Sequence, residues 1–214
     1  RKFGANGFYA SPDATDQYEE TQTSLIGIYS RYSSGNLIIK PKIYWRRNQD
    51  EYIYVRSDPS IYRNLHKTNK ISAEVNFNYI SSIGNTGFGI DFSNVLISSN
   101  NLGNHKRSIT SLYVNHIFSL INEKLTLSPG ISFSYFSDLS SNSFPGIDLG
   151  YNVSEKIKLY GNFGKTFRIP TYTDLYYSDR TTIGNSKLEP ESAVSTEFGF
   201  KYNSSIFILK AAIF

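Results

Sequence analysis

Along most of this chain apolar and polar residues alternate one by one, which leaves few folds open to it. From Ile71 to Tyr79 the odd positions are Ile71, Ala73, Val75, Phe77 and Tyr79, and the even ones are Ser72, Glu74, Asn76 and Asn78. Successive side chains of a strand point to opposite faces, so this order separates the two faces completely, whereas a helix would mix them. The same alternation runs through 37–45, 88–92, 125–135, 147–153, 157–163 and 194–202. The 17 Tyr and 15 Phe, with abundant Ile, Thr and Ser, suit strands. No apolar run is long enough for a transmembrane helix. The fold class is all-β.

The connections alternate as well. Short polar turns are expected at 33–36, Gly84-Asn85, Asn122-Glu123, 154–156 and 203–205. Longer irregular segments are expected at 11–17, 48–67, 98–106, 138–142 and 168–191. Strand, short turn, strand and long loop thus repeat, giving roughly ten or eleven antiparallel, up-and-down strands with no domain boundary. A soluble sandwich would bury the apolar face, and a transmembrane barrel would turn it outward to lipid. Three details favour the barrel. The polar faces mix Gly, Ser, Asn and charge, the long loops fall on one side, and aromatic residues cluster at expected strand ends. These are Phe8 and Tyr9, Tyr29 and Tyr32, Tyr44 and Trp45, and Tyr135 and Phe136. On this reading Ile39, Ile43, Val75, Phe77, Ile90, Phe92, Leu127, Ile131, Leu149, Leu159, Phe198 and Phe200 face lipid. Lys40, Lys42, Glu74, Asn76, Asp91, Ser132, Asp148, Lys158, Glu197 and Lys201 face the lumen, because a mid-membrane Arg or Lys on the lipid face costs about 2–4 kcal/mol.

Charge and composition narrow the chemistry. The 22 Lys/Arg and 18 Asp/Glu are well mixed, with a net charge of +4, so no nucleic-acid partner is expected. There is no Cys, and the three histidines (His66, His105 and His116) are widely spaced, so neither a metal centre nor a cofactor is expected. His66 and His105 fall in expected long loops. Adjacent carboxylates such as Glu19-Glu20 and Asp50-Glu51 point to opposite faces of a strand, and a Gly-x-Ser-x-Gly elbow is absent. The chain does not read as an enzyme. It opens at Arg1 without an initiator Met and is expected to be a piece of a longer protein.

Residues 159–202 carry a longer pattern: Phe167, Arg168 and Pro170, then Leu175-Tyr176, then Gly184, Asn185, Leu188, Pro190 and Glu191, then Glu197 and Gly199. In its order and spacing this strongly resembles the barrel signature of TonB-dependent outer-membrane receptors. The segments Gly4 to Tyr9 and Asp16 to Thr21 resemble a mid-barrel hairpin of vitamin B12 receptors and their Bacteroidetes-type relatives. The resemblance implies a bacterial outer-membrane barrel of about 22 strands, closed by a plug and driven through TonB. Residues 1–214 are then expected to be about half of that barrel, with the plug and TonB box outside the chain.

Physical roles can be given to the motif. Pro170 ends the ladder, Arg168 ties down carboxylates such as Glu189 or Glu191, and Gly184-Asn185 allows a positive φ where the loop turns back. Substrate contacts are expected from the aromatic, hydrogen-bonding loop residues Tyr52, Tyr54, Arg56, Tyr62, Tyr172, Asp174, Tyr176, Tyr177 and Arg180. The same residues also fit an aromatic girdle. Haem receptors of this family carry a His between the two motifs, and 171–184 has none. The expected ligand is cobalamin first and a ferric siderophore second, taken up with TonB, in contact with outer-membrane lipid and with a surface lipoprotein as a further partner. A passive porin or an adhesin-like barrel is the alternative.

Overall fold

The computed structural model describes residues 1–5, 16–179 and 181–214. Among them are twelve strand segments and one short helix: β1 Lys2–Gly4, β2 Tyr18–Tyr29, β3 Tyr32–Ser34, β4 Leu37–Ile53, β5 Arg63–Ser81, β6 Gly84–Ser99, β7 Gly103–Leu120, β8 Leu125–Phe136, β9 Asn142–Asn152, β10 Ile157–Arg168, α1 Tyr172–Tyr176, β11 Glu191–Asn203 and β12 Ile208–Ile213. They form a single antiparallel sheet in chain order, with β3 beside β4. The all-β, up-and-down expectation holds.

Prolines explain where the ladders lapse. Tyr29 pairs with Lys42 and Tyr32 with Ile39 in one unbroken register, so β2 and β3 are a single strand interrupted opposite Pro41. Pro41 has no N–H to give the ladder. The β7–β8 ladder skips from Asn115↔Gly130 to Phe118↔Leu127 around Pro129 for the same reason.

The strands run further than the sequence suggests. Of the expected loop 48–67 only 54–62 is loop, and 98–106 contracts to a connection over 100–102. Ladder pairs such as Gln49↔Lys67 and Ile97↔His105 continue through both segments. Alternation fades there because polar residues occupy both faces, as suits strands that project past the apolar belt. His66, His105 and Tyr52 therefore lie in strands, not loops. Tyr44 and Trp45 lie within β4 rather than at its end. The turn expected at Gly84-Asn85 falls two residues earlier, at Ser82 and Ile83, since Ser81 already pairs with Gly84. Gly84 has φ 139°, and a Cβ there would lie 2.0 Å from the Ile117 carbonyl oxygen. Phe8, Tyr9, most of the 11–17 segment and Arg180 lie outside the described residues.

Directly opposed residues share a face, so the register assigns every strand residue to one side. One row runs Ile39–Phe77–Phe88–Val114–Ile131 and the next Val75–Ile90–Leu112–Phe133. Leu127 meets Leu149, and Leu159 meets Phe200. The opposite face carries Lys42–Glu74–Asp91–Ser111–Ser134, Asp148–Asn162–Glu197 and Lys158–Lys201. Among the described residues nothing covers the apolar face: Ile43, Ile90, Phe92, Ile131 and Phe198 remain 46–67% exposed. Burial concentrates on the polar side, at Ser72, Ser93, Arg107 and Phe136. A soluble sandwich would show the reverse.

Candidate functional site

The long connections meet at one end of the sheet, where the segment between β10 and β11 folds back over the polar face. Its first turn is a capping box. Thr171 Oγ1 accepts from the Asp174 N–H at 3.1 Å, and Asp174 Oδ2 accepts from the Thr171 N–H at 2.9 Å. The backbone hydrogen bond from Thr171 holds the Asp174 carboxyl below its usual range. Helix α1 then buries Leu175. Gly184 packs directly on α1: a Cβ there would lie 2.8 Å from the Leu175 carbonyl carbon and from the Tyr176 nitrogen. Its expected positive φ is not found, since the positive-φ glycines among the described residues are Gly35, Gly84 and Gly103. Close approach, not a left-handed turn, is what requires glycine here.

Two side chains of β7 hold this segment to the polar face. The His105 ring stacks on Tyr176 at 3.7 Å and on Tyr172 at 5.5 Å between centroids. His105 Nε2 lies 2.6 Å from the Leu102 carbonyl oxygen, which only accepts, so Nε2 carries the proton. Arg107, 5% exposed, donates from Nε to both oxygens of Asp138 at 2.9 Å and from Nη1 to the Pro170 carbonyl at 3.2 Å. Its guanidinium also stands 5.0 Å over the Tyr172 ring. Burial raises the Tyr172 hydroxyl pKa.

A polar relay ties the same segment to β5. Asn64 Nδ2 donates to the Tyr62 hydroxyl at 3.0 Å, and the Tyr62 and Tyr177 hydroxyls are 3.1 Å apart. Tyr177 donates its one proton to Asp179 Oδ2 at 3.1 Å, so Tyr62 is the donor to Tyr177. The Thr181 and Thr182 N–H groups reach Asp179 Oδ1 at 2.8 and 2.7 Å and hold that carboxyl below its usual range. Burial and the hydrogen bonds to Tyr62 and Asp179 push the Tyr177 phenol well up, so it stays neutral. Asn101 Nδ2 adds a bond to the Ser178 carbonyl at 3.1 Å.

Most of the expected ligand residues fall into two groups at this rim. Tyr52 meets Tyr62 edge-on at 6.3 Å, the Tyr54 N–H donates to the Tyr62 carbonyl at 3.1 Å, and Tyr177 joins them through Tyr62. Tyr172, Asp174 and Tyr176 form the second group, on α1. Arg56 stands apart, 4.5 Å over Tyr18. Of the motif, Phe167 packs on Phe136 and Phe144. Arg168 reaches Asp174 at 3.4 Å and Glu191 at 3.7 Å. The Asn185 N–H donates to the Asp174 carbonyl at 3.0 Å and the Leu188 N–H to the Asn185 carbonyl at 3.1 Å, while Leu188 and Pro190 line one hollow together with Phe167. The motif is thus knitted into the loop's own architecture. Arg107 and Asp138 are site residues that the sequence pattern does not single out, and His105 stands in a strand rather than in the loop expected for it. Strand parity places His105 and Arg107 on the face of Ser111 and Tyr113, but only if β7 is known to start at Gly103.

One stretch of the inner wall below the rim is cationic. Arg46 and Lys70 stand directly opposite each other, with Tyr44 beneath them and Lys70 Nζ 5.6 Å from its ring centroid. Nearer the short turns lies a hollow of about 290 Å³ bordered by Lys40, Asn76, Asn78, Asn85, Tyr113 and Asn115. Among the described residues no cluster of His, Asp and Glu is placed to hold a metal ion.

Comparison with solved structures gives the same architecture. The siderophore receptor PirA from Pseudomonas aeruginosa matches 92% of this chain and 39% of its own, at 13% identity and TM-score 0.80. The hemophore receptor HasR of Serratia marcescens matches 94% of this chain and 40% of its own, at 15% identity and TM-score 0.78. The ferric enterobactin receptor PfeA from Pseudomonas aeruginosa matches 92% of this chain and 34% of its own, at 14% identity and TM-score 0.76. The chain thus spans between a third and two fifths of the length of these receptors. No curated protein sequence matches it. The family described as TonB dependent receptor-like, beta-barrel, matches residues 1–214. Proteins of this family lie in the outer membrane. With an uncovered apolar face, a polar face closed over at one rim, and a family match from end to end, the chain belongs to the TonB-dependent receptor β-barrel family of the outer membrane.

Proposed function

We propose that this chain forms part of the wall of a receptor that takes up an anionic metal chelate of the siderophore class by TonB coupling. The observation that carries the reading is the Arg46–Lys70 pair. Like charges directly opposed across two strands repel, and neither makes an ion pair with a carboxylate among the described residues. A bound anion would relieve that repulsion. Tyr44 below, and Tyr52, Tyr62 and Tyr177 above, offer aromatic area for a bulky ligand. PirA and PfeA are named for siderophore and ferric enterobactin reception. Contacts with TonB and with a surface lipoprotein belong to the same proposal.

Uptake of a radiolabelled ferric catecholate by cells carrying the Arg46→Ala/Lys70→Ala double variant should fall at least tenfold, roughly one charge-assisted contact. Unchanged uptake would refute the reading. Cobalamin is the second reading. It rests on the vitamin B12 receptor resemblance around Gly4 to Thr21, of which residues 6–15 lie outside the described residues. Unimpaired labelled-cobalamin uptake in cells lacking the gene would eliminate it. A passive porin would need neither plug nor TonB box, so the sequence before Arg1 separates it from a receptor.

A further inference from the structure

We propose that the lumen face at the short-turn end of β9–β12 is a second anion station, where an aromatic, multiply charged metal chelate is held before it leaves the barrel. The inference rests on the reading of such a chelate as the cargo. Three lysines form one row there: Lys158 of β10 stands opposite Lys201 of β11, and Lys201 opposite Lys210 of β12. Asn152 of β9 continues the row beyond Lys158. The row lies within three residues of the short connections 153–156 and 204–207. The next row toward the rim reads Gly150, Tyr160, Gly199 and Ala212. A Cβ at Gly199 would lie 2.5 Å from Tyr160 Cζ, and one at Gly150 would lie 3.0 Å from Lys158 Cε. The missing side chains let Tyr160 lean over β11 and Lys158 over β9, and small residues leave the wall open around one aromatic ring.

None of the three lysines makes an ion pair with a carboxylate among the described residues, Glu155 of the adjoining turn included. Asp148 and Glu197, the acids of the same face further up these strands, share a row with Asn162. That row is four residues along the strands, about 13 Å, which exceeds the screening length at physiological salt. Like charges directly opposed across strands repel, and this row holds two such pairs side by side. Its charges spread over two strand spacings, about 10 Å. That breadth suits a rigid anion carrying several charges, such as a ferric tris-catecholate, in which the phenolate charges outnumber those of the iron. Tyr160 offers a ring on which a catechol can stack. Position selects the cargo as occupant. The row faces the lumen at the far end of the wall from Arg46 and Lys70, so a chelate admitted at the rim meets it on the way out. A wall lined by one sign of charge concentrates the opposite sign.

The test uses the native outer-membrane protein that carries this chain, purified in a neutral detergent, with a fluorophore on Glu155→Cys in the turn beside the row. This chain has no Cys of its own to compete for the label. The probe is the iron(III) complex of a hexadentate tris-catecholate, which quenches the fluorophore on binding. The variant Lys158→Gln/Lys201→Gln/Lys210→Gln should bind the probe about tenfold more weakly, as three exposed charge pairs warrant. Lys158→Arg/Lys201→Arg/Lys210→Arg should bind it like the parent. Quenching should persist in Arg46→Ala/Lys70→Ala, so failure of the rim reading and failure of this one are told apart. On cells, the glutamine variant should keep the parental surface affinity for the probe but take it up about tenfold more slowly. If the glutamine triple variant does not fold, Lys201→Gln and Lys210→Gln singly should each lose about twofold in quenching affinity. Unchanged quenching or uptake in the glutamine variants, equal loss in the arginine variant, or loss of quenching on replacing Arg46 and Lys70 would each overturn the proposal. New leakage of a bulky antibiotic through the glutamine variant would mean that the row anchors an acidic stretch of the plug, and would overturn it as well.

Discussion

The His105 imidazole lies parallel to the Tyr176 ring, 6° between planes and 3.7 Å between centroids, joining the wall strand β7 to the segment that follows β10. The partners are 71 positions apart in sequence. With Arg107 on Asp138 and Pro170, this stack fixes how far the 169–190 segment reaches over the polar face. His105→Ala should weaken that docking by about 1 kcal/mol, the usual worth of an aromatic pair. Arg107→Ala should cost more, about 3 kcal/mol, because it strands a carboxylate and a carbonyl built around a buried cation. Hydrogen exchange across 171–185 should accelerate in both variants, more in the second. Equal protection in all three proteins would mean the segment is held by other contacts.

Gly184 and Gly164 make a matched pair. An added Cβ at 184 meets the α1 backbone at 2.8 Å, whereas at 164 it meets nothing within 4 Å. Gly184→Ala should lower the thermal midpoint and displace α1, at a cost of about 1–3 kcal/mol for overpacking against backbone. Gly164→Ala should be neutral or slightly stabilising, since alanine restricts the unfolded chain. Equal midpoints for the two variants would contradict the packing described here.

Asp174 and Asp179 are both held below the usual carboxylate range by backbone N–H donors. A carboxylate with a lowered folded pKa lends stability that is complete above its unfolded value, about 3.9, and lost as the pH falls through the folded value. The 171–182 segment should stay ordered from neutral pH to about pH 4 and loosen only below it. Asp174→Ala at pH 7 should reproduce the acid behaviour of the first turn in proteolysis or exchange measurements. Loosening that begins near pH 6 would point to a histidine instead.

Ile90 and Asp91 are sequence neighbours on opposite faces of β6. Ile90→Arg should cost about 2–4 kcal/mol in urea-dependent folding into liposomes, and Asp91→Asn should cost little. The reverse order would turn the sheet inside out.

The long connections are expected outside the cell and the short ones in the periplasm. An epitope at Asp58 should be labelled on intact cells, and one at Ser205 only after permeabilisation. The opposite pattern would invert the topology.

Alternation settles the all-β class and divides each strand into two faces, because a strand's two-residue period assigns sides without regard to distant partners. Which face meets lipid rests on loop lengths and the mixed polar face. Phe77 and Glu74 could be placed from the chain alone, and so could the alternation of short and long connections. Where both faces are wet the alternation vanishes, so the sequence alone ends β4–β7 too early and leaves His66, His105 and Tyr52 in loops. Gly184 was legible as a required glycine, but its reason was not, because the atoms it must clear belong to a helix nine residues back. The rim shows the same division. Its aromatics were visible in the sequence, yet the stack on His105, the Asn64–Tyr62–Tyr177–Asp179 relay and the opposed Arg46–Lys70 pair depend on strand register and loop return. Such contacts join residues far apart in sequence, and no local period encodes them.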